Sequence, residues 1–427
     1  MFRNRRIEKL LKILIIFVFA FFVILICMLR QQSDTENDNT IERIPRQNES
    51  EVETALSTAS KSLKKLIKCK NKIQKAENIS SGKFFIFKNY KIASKHFDCY
   101  DSITYVTHSD FTFLNNVVPL LQKWNGPLSL AIYAPGSDFT AALEGIFYLQ
   151  NCHKRSYLVK KFTTFHLFFD ESLLNVSQIN HMPMKCSESK KYLEISQRQT
   201  FRTKNKLSYP INTARNLARS ASITHFVLVS DIELYPNPQF INEFLEMIFN
   251  NENLINHKNV FVLPVFEIVQ NQELPNTKYE LQQLYLDNKI HWFHKQICLS
   301  CHLIPFHELW LIHTKQQMQI HSSVKRQAPF SNWEPIFVGT NADPWYDERL
   351  SWEGKSDKMT QAYIMCVLDY NFNVLSNGFL IHKPGIKTVA ESARPELEDL
   401  NHKIIKEIIL PEIRFLYGEN ENCEMYT

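Results

Sequence analysis

Two carboxylates, Asp231 and Glu233, stand one residue apart directly after a short apolar run. Residues 226–230 are rich in types that favour β-strands, and Pro236 and Pro238 stop the run. In an extended chain, residues i and i+2 point to the same side, so the two acids would repel each other unless a cation lay between them. The pattern predicts a buried strand that ends at a site for Mn²⁺ or Mg²⁺, which prefer oxygen ligands and are often shared with phosphates. The alternative is a pair of solvated acids in a turn.

A second group of acids lies between residues 335 and 359 and offers candidates for a general base. Four of the nine glycines fall between positions 339 and 385, which indicates unusual backbone geometry or close approach to a ligand. Asp357 comes just before a predicted helix from residue 359, where the helix dipole favours the ionised carboxylate that a base needs. Glu353 and Asp347 are the alternates. The competing interpretations are that Asp357 only caps this helix and that Asp347 pairs with Arg349.

Arg215 and Arg219 are four residues apart on a predicted helix just before the acidic strand, so they share one helix face. Planar guanidinium groups suit phosphate and carboxylate oxygens, which makes both arginines candidates for binding an anionic ligand. An ion pair on the helix surface is the alternative.

The elements that position these residues alternate between strand and helix. Strands are predicted at residues 102–107, 128–134, 163–169, 226–230 and 260–266, and helices at 115–124, 139–149 (capped by Asp138), 211–222, 237–249 and 359–369. Such alternation implies right-handed crossovers and an α/β fold with a mainly parallel sheet. Residues 270–335 are irregular and rich in aromatic side chains, and either an acceptor-binding subdomain or loop packing would explain them. Residues 396–417 read as a closing helix that Pro411 interrupts.

The N-terminus predicts a membrane anchor. An unbroken apolar run covers residues 13–29, two leucines extend it to residue 10, and this is close to the length of a spanning helix. Basic residues precede the run and acidic residues follow it, which places the N-terminus in the cytosol and the rest in the lumen. We therefore expect a cytosolic tail at 1–9, a transmembrane helix at 10–29, a lumenal stem at 30–90 and a catalytic domain at 91–427.

Sequons and cysteines agree with a lumenal body. Asn48, Asn78 and Asn175 each stand in an Asn-x-Ser sequon. One of the nine cysteines, Cys27, lies in the apolar run, and the even number that remains suggests disulfides whose pairing is not readable from the sequence. Basic residues are scattered among acids, so a role in binding nucleic acid has little support.

Several stretches together resemble glycosyltransferase family 49. They are Asn216-Leu-Ala-Arg219, residues 226–236, Tyr346-Asp-Glu-Arg349, residues 352–358 and Ile381-His-Lys-Pro384. The resemblance covers roughly residues 95–415, and the block from 346 to 359 is its most specific part. It implies a type II Golgi membrane enzyme with a GT-A fold that uses a UDP-sugar donor and Mn²⁺.

The resemblance also implies roles for particular residues and substrates. His382 would complete the metal shell of Asp231 and Glu233, and Asn216 would join Arg215 and Arg219 at the donor. The family's usual metal motif is Asp-x-Asp, so the glutamate at position 233, with its longer reach, is a departure that bears on metal preference. The implied reaction moves glucuronic acid from UDP-glucuronate, with inversion, to a xylose-terminated O-mannosyl glycan of the kind found on dystroglycan.

Two alternatives to this function stay open. One is the same fold with another donor, such as UDP-N-acetylglucosamine or UDP-xylose. The other is a lumenal module that binds without catalysis, although retention of Asp231, Glu233 and the acid-rich block argues against it. A complex with other Golgi transferases is a further partner hypothesis.

Overall fold

The computed structural model describes residues 63–173, 185–186, 195–255, 258–386 and 395–425. The strands are β1 Glu77–Ser81, β2 Phe84–Lys91, β3 Ile103–Ser109, β4 Leu128–Tyr133, β5 Thr163–Asp170, β6 Phe226–Val229, β7 Leu234–Pro236, β8 Asn259–Leu263, β9 Val265–Ile268, β10 Ile290–Trp292, β11 Ile320–Val324, β12 Ile336–Thr340, β13 Asn371–Leu375 and β14 Leu380–His382. The helices are α1 Val117–Trp124, α2 Asp138–Asn151, α3 Ser156–Phe162, α4 Phe201–Lys204, α5 Ile211–Ser220, α6 Phe240–Asn250, α7 Lys278–Leu286, α8 Leu299–His302, α9 His307–Ile312, α10 Met359–Val367, α11 Pro395–Ile404 and α12 Leu410–Tyr417.

The main sheet has ten strands in the order β1-β2-β5-β4-β3-β6-β12-β8-β13-β11. Strands β5, β4, β3 and β6 are mutually parallel, as the alternating pattern predicts. The prediction of a mainly parallel sheet is wrong for much of the rest, because β12 runs antiparallel to both β6 and β8, and β1, β2 and β11 also pair antiparallel. Strands β8 and β13 form one further parallel pair. The sheet is therefore mixed, and its parallel half carries the carboxyl ends where α/β folds bind ligands.

A smaller, four-stranded sheet has the order β10-β9-β14-β7. Its strand β7 follows directly after the turn that carries the two acids. Strand β7 pairs antiparallel with β14, whose last residue is His382. This pairing brings residues that are about 150 positions apart in sequence to the same edge of the molecule, next to the end of β6.

The folded body begins earlier than the predicted boundary at residue 91. Strands β1 and β2 extend the main sheet through pairing of β2 with β5, and Leu63 and Ile67 are buried in the main core. A disulfide between Cys69 and Cys99 ties this segment to the body. The predicted stem therefore fails for residues 63–90. The apolar run at 84–87 is a local strand signal that the prediction passed over, whereas the burial of Leu63 and Ile67 depends on partners distant in sequence.

Three element boundaries differ from the sequence prediction for local reasons. Asp138 is the first residue of α2 rather than its cap, and its carboxylate accepts from the backbone N–H groups of Phe201 and Arg202 at 2.7 and 3.0 Å. The predicted strand at 260–266 is split into β8 and β9 at Pro264. Near Pro411, a π-helical turn over 405–409 joins α11 to α12.

The aromatic segment 270–335 forms a second hydrophobic core. Trp292, Trp310 and Trp333 are all buried there and pack with strands β8, β9 and β13. Of the two interpretations left open by the sequence, packing is therefore the role of these tryptophans.

The structure pairs all eight cysteines outside the apolar run. The bonds are Cys69–Cys99, Cys152–Cys186, Cys298–Cys301 and Cys366–Cys423. The helices in the described ranges include none long and apolar enough to cross a membrane. The predicted transmembrane helix at 10–29 and the sequons at Asn48 and Asn175 lie outside those ranges, whereas Asn78 is exposed on the edge strand β1.

A buried histidine in β5 predicts acid lability of this fold. The backbone N–H of Asn89 donates to His166 Nδ1 at 2.8 Å, so the ring carries its proton on Nε2, which lies 2.9 Å from Ser129 Oγ. Burial, with a smaller effect of the Lys88 ammonium, lowers the pKa of His166 to about 3. A proton on Nδ1 would break the bond from Asn89.

We expect His166 to destabilise the protein as pH falls from 6.5 toward 3. In this window the unfolded chain binds a proton that the folded chain excludes, so the free energy of unfolding falls with pH by up to about 1.4 kcal/mol per unit. Urea unfolding between pH 6 and 4 should show a shallower pH slope for His166→Gln than for the unchanged protein. The exposed His96, changed in the same way, should leave the slope as it is. Equal slopes for all three proteins would contradict this prediction.

Candidate active site

The two acids of the first motif lie in a tight turn between β6 and β7. The backbone N–H of Leu234 donates to the carbonyl oxygen of Asp231 at 3.0 Å, and the Tyr105 hydroxyl donates to the carbonyl oxygens of Asp231 and Leu234 at 3.0 and 2.7 Å. The chain is therefore not extended across this motif, as the argument from spacing assumed. In this turn, Asp231 and Glu233 have different sets of partners.

Asp231 faces two cationic or proton-carrying groups. Its Oδ1 lies 3.3 Å from His108 Nε2 and 3.6 Å from Arg215 Nη2, and its side chain remains 38% exposed. Burial opposes the charged form, but the hydrogen bond from His108 and the positive charges of Lys358 and Arg215 outweigh it and hold the pKa of Asp231 well below its usual range. Asp231 is thus an ionised carboxylate that retains access to a ligand.

Glu233 faces the end of β14. Its Oε2 lies 3.7 Å from His382 Nε2, and its Oε1 pairs with the Lys383 ammonium. His382 Nδ1 donates to the Lys383 carbonyl oxygen at 2.9 Å, which in the neutral ring leaves the lone pair on Nε2, a buried atom without a hydrogen-bond partner among the described residues. A nitrogen lone pair directed at a carboxylate is unfavourable unless a cation joins them, and a second hydrogen bond of this kind is usual for histidines that bind metal.

The donor set of Glu233 and His382 therefore fits a divalent cation. Among the described residues, no three His, Cys, Asp or Glu side chains come close enough together to form a complete metal cluster. The structure brings His382 to Glu233, as the resemblance implied, and places Asp231 at the start of the same turn. The full shell of Asp231, Glu233 and His382 stays a prediction.

Asp357 lies at the same site through a shared arginine. Arg215 Nη1 is 3.3 Å from Asp357 Oδ1, while Arg215 Nη2 reaches Asp231. Helix α10 has Lys358 as its N-cap residue, and the Asp357 carboxylate contacts Arg215 instead of capping the helix. The carbonyl oxygen of Asp357 accepts from Asn212 Nδ2 at 2.8 Å. The structure thus gives Asp357 a fixed position beside Asp231 and leaves it the strongest candidate for the base.

The two alternate bases have structural partners. Glu353 is buried and accepts from Arg202 Nη1 at 2.8 Å and from the backbone N–H of Tyr209 at 2.9 Å. Asp347 forms a two-point pair with Arg349, at 2.9 and 2.6 Å. The interpretation of Asp347 as the partner of Arg349 is therefore the one that the structure shows. Both acids therefore support the loop, and their role as alternate bases stays a prediction.

The loop before Asp357 is held against α11. Lys355 and Ser356 both have positive φ angles, 54° and 53°. Asn401 Nδ2 donates to the carbonyl oxygens of Ser351 and Lys355 at 3.2 and 3.0 Å, and a Cβ on Gly354 would lie 2.1 Å from the Asn401 side chain. Glycine is required at position 354 because any larger side chain would collide with Asn401, which forms these hydrogen bonds.

Helix α5 carries a buried polar stripe that fastens the acid-rich loop. Asn216 Nδ2 donates to the Tyr346 carbonyl oxygen and its Oδ1 accepts from the Tyr346 N–H, at 2.9 and 3.2 Å. Arg219 donates to the carbonyl oxygens of Thr340, Asp343 and Pro344 at 2.7 to 2.8 Å. Asn216 and Arg219 therefore support the loop, and their predicted role at the donor stays a prediction. Arg215 alone of the three turns toward the acids.

We expect Arg219→Ala to lower the free energy of unfolding by about 3 kcal/mol or more, because it leaves several carbonyl oxygens without donors in the interior. Arg349→Ala is the matched control. Arg349 is partly exposed in its pairs with Asp347 and Glu412, so its loss should change the free energy of unfolding by about 1 kcal/mol or less. Denaturant unfolding of both variants measures the difference, and similar losses would contradict the structural role of Arg219.

A cavity lies beside Asp231. Two of the charged residues that line it, Glu334 and Lys358, were not predicted from the sequence as site residues. Its lining includes Arg215, Asp231, Glu334, Tyr346, Lys358 and Gln361. Because β12 is antiparallel to β6, Glu334, two residues before β12, reaches the edge where β6 ends. Lys358 Nζ lies 3.6 Å from Glu334 Oε2. From the sequence, Lys358 was only the last residue of the 352–358 stretch, next to Asp357, and had no role of its own.

The charges in this cavity are set by their neighbours. Burial disfavours the ammonium of Lys358, but Glu334 and Asp231 outweigh burial and raise its pKa. Burial raises the pKa of Glu334, against the opposing effect of Lys358. Burial lowers the pKa of His108, so this ring is neutral at pH 7 despite its contact with Asp231. The cavity therefore keeps two cations, Arg215 and Lys358, next to Asp231.

The fold and this site define an α/β enzyme with ionised acids and buried cations at the carboxyl edge of its parallel strands. The sequence model of the family described as glycosyl-transferase for dystroglycan, glycosyltransferase family 49, matches residues 102–418. The chain belongs to this family and is a glycosyltransferase, which confirms the resemblance predicted from its motifs.

Named relatives agree with this membership. Zebrafish (Danio rerio) beta-1,4-glucuronyltransferase 1 is 28% identical over 312 residues, which cover 70% of each chain. The mouse (Mus musculus) protein of the same name is 25% identical over 328 residues, covering 74% of this chain and 76% of the relative. Mouse xylosyl- and glucuronyltransferase LARGE2 is 23% identical over 283 residues, covering 66% of this chain and 34% of the relative.

Proposed function

We propose that this protein transfers glucuronic acid from UDP-glucuronate to a xylose-terminated O-mannosyl glycan, with inversion, in the Golgi lumen. The match to beta-1,4-glucuronyltransferase 1 over most of both chains supports the donor and linkage. We assign the catalytic domain to the GT-A fold, supported by the parallel group of strands and the acidic turn after β6. The observation that carries a catalytic role is the sharing of Arg215 between Asp231 and Asp357.

In the proposed reaction, Asp357 takes the proton from the acceptor hydroxyl as that oxygen attacks the anomeric carbon of the donor. Arg215 keeps the Asp357 carboxylate in place through its Nη1, and Asn212 fixes the backbone at the same residue. A single displacement of this kind inverts the anomeric centre, because the acceptor attacks opposite the departing diphosphate.

The donor diphosphate would lie at the turn after β6. Glu233 and His382, with Asp231, would hold Mn²⁺ or Mg²⁺, which supplies Lewis-acid stabilisation of the leaving UDP. Arg215 and Lys358 add positive charge on the cavity side of Asp231. Excluding water from this cavity strengthens all of these charge interactions.

A donor screen of the purified full-length chain tests the function. We expect transfer to a xylose-terminated acceptor from UDP-glucuronate with Mn²⁺, and little transfer from UDP-N-acetylglucosamine or UDP-xylose. Preference for one of the latter would replace the proposed donor within the same family. Failure to transfer or hydrolyse any UDP-sugar would favour a binding module instead.

We propose a type II membrane topology with a lumenal catalytic domain. The apolar run at 10–29 and the exposure of the Asn78 sequon on β1 support it. In a eukaryotic secretory host, Asn78→Gln should remove one glycan, seen as a faster band on a gel. If Asn78 and the other sequons stay unmodified and protease reaches the body in sealed vesicles, this topology is wrong.

A further inference from the structure

The two cations of the cavity beside Asp231 differ in how far the protein already satisfies them. Arg215 donates to Asn212 Oδ1 at 2.9 Å and reaches Asp357 and Asp231 with its two terminal nitrogens. Its guanidinium also stacks over the Tyr346 ring, 5.2 Å from the ring centre. The protein therefore already supplies several partners for the guanidinium group of Arg215.

Lys358 has a single ion-pair partner within the part of the chain that the structure describes. Its Nζ lies 3.6 Å from Glu334 Oε2, which is longer than a good hydrogen bond between charged groups. The side chain is only 20% exposed, so most of it is removed from bulk water. An ammonium carries three donors, and a largely buried one requires more acceptors than this single distant contact provides.

The position of Lys358 at the start of a helix also makes a positive charge without a counter-ion unfavourable there. Lys358 is the N-cap residue of α10, and the N-terminal end of a helix carries partial positive charge. The ammonium group and the helix end therefore repel each other, and both would attract an anion bound between them. Because Asp231 lines the same cavity, such an anion would lie at the site of the reaction.

We propose that Lys358 binds the carboxylate of the donor sugar and so selects a uronic acid over a neutral hexose. This inference rests on the proposed function, because it takes UDP-glucuronate as the donor. A compact ammonium in a poorly hydrated cavity recognises a carboxylate, whereas the CH₂OH group of UDP-glucose gives it no charge to pair with. Lys358 is thus the specificity-determining residue of the donor site.

The competing role for Lys358 is to neutralise Glu334 as a buried ion pair. The two roles predict different behaviour when both charges are removed. If Lys358 only balances Glu334, the double variant Lys358→Met/Glu334→Gln recovers normal use of UDP-glucuronate. If Lys358 binds the donor carboxylate, the double variant stays defective, while Glu334→Gln alone keeps the preference.

The test measures kcat/KM for UDP-glucuronate and for UDP-glucose with the full-length protein and each variant, and uses the ratio of the two. Loss of folded protein affects both donors equally and cancels in this ratio. We expect Lys358→Met to lower the ratio by about 10- to 100-fold, the usual effect of losing a charged hydrogen bond. Lys355→Met is the control: this lysine is three residues away, 65% exposed and paired with Glu398, and its loss should leave the ratio unchanged.

The outcomes separate this inference from the proposed function. An unchanged ratio in Lys358→Met, an equal fall with both donors, or recovery in the double variant would each overturn the role of Lys358 while leaving glucuronate transfer intact. If the unchanged protein prefers a neutral UDP-sugar, the proposed donor fails and the inference fails with it. A lower ratio in both Lys358→Met and the double variant would support it.

Discussion

Replacement of Asp357 with asparagine is expected to lower kcat by about 10²- to 10⁴-fold, the usual contribution of a general base. Asparagine keeps the shape of the side chain and still offers an oxygen to Arg215 Nη1, now 3.3 Å from Asp357 Oδ1, but it cannot take a proton. The KM for the donor should change little, because the diphosphate is proposed to lie at the turn that holds Asp231 and Glu233. Steady-state kinetics with UDP-glucuronate and a xylose-terminated acceptor measures both constants.

Asp347→Asn is the control for the base, since it removes a carboxylate from the same loop. Asp347 pairs with Arg349 at the surface, so this variant should keep kcat within a few-fold of the unchanged protein and lose about 1 kcal/mol of stability at most. Thermal melting should show that Asp357→Asn remains folded. A near-normal kcat in Asp357→Asn would remove it as the base and return the search to Glu353 and Asp347.

Alanine at Glu233 or Asp231 should reduce transfer by about 10³-fold or more, because each removes a carboxylate that is proposed to hold the cation that neutralises the leaving diphosphate. Glu233→Asp should keep part of the activity, since an oxygen ligand remains with a shorter reach toward His382 Nε2, now 3.7 Å from the Glu233 carboxylate. His382→Ala should resemble Glu233→Ala if the two residues share a cation.

Removing the metal tests the same role of Glu233 and His382 without changing the protein. EDTA should inactivate the unchanged protein, and Mn²⁺ should restore it, with Mg²⁺ as the weaker substitute. Binding of Mn²⁺ alone, followed by its paramagnetic signal, should weaken in Glu233→Ala and His382→Ala. Full transfer in EDTA would exclude the metal from the mechanism and leave Lys383, Arg215 and Lys358 as the charges that face the donor.

Local sequence was enough to predict the parallel group of strands and the acids at their ends. The alternation of apolar strands and amphipathic helices is encoded within each segment, and β3, β4, β5 and β6 fall close to their predicted positions. Asp231 and Asp357 were singled out because residue type, spacing and the adjoining helix are all local. The family was readable for the same reason, since its motifs are short continuous stretches.

The tertiary structure alone decided which charged groups share the site. Arg215 and Arg219 occupy one helix face and have the same chemistry, yet Arg215 reaches Asp231 and Asp357 while Arg219 clasps loop carbonyl oxygens. Nothing within α5 distinguishes them, because the difference is the loop that packs over each one. Glu334 comes to Asp231 through the antiparallel placement of β12 beside β6, a pairing between segments about 110 residues apart. Lys358 comes there because its neighbour Asp357 contacts Asn212 and Arg215 of α5. The sequence by itself specifies the chemistry of each residue and its local conformation. The partner and the exposure of each charged group depend on contacts with segments far away in the sequence, and these contacts exist only once the chain has folded.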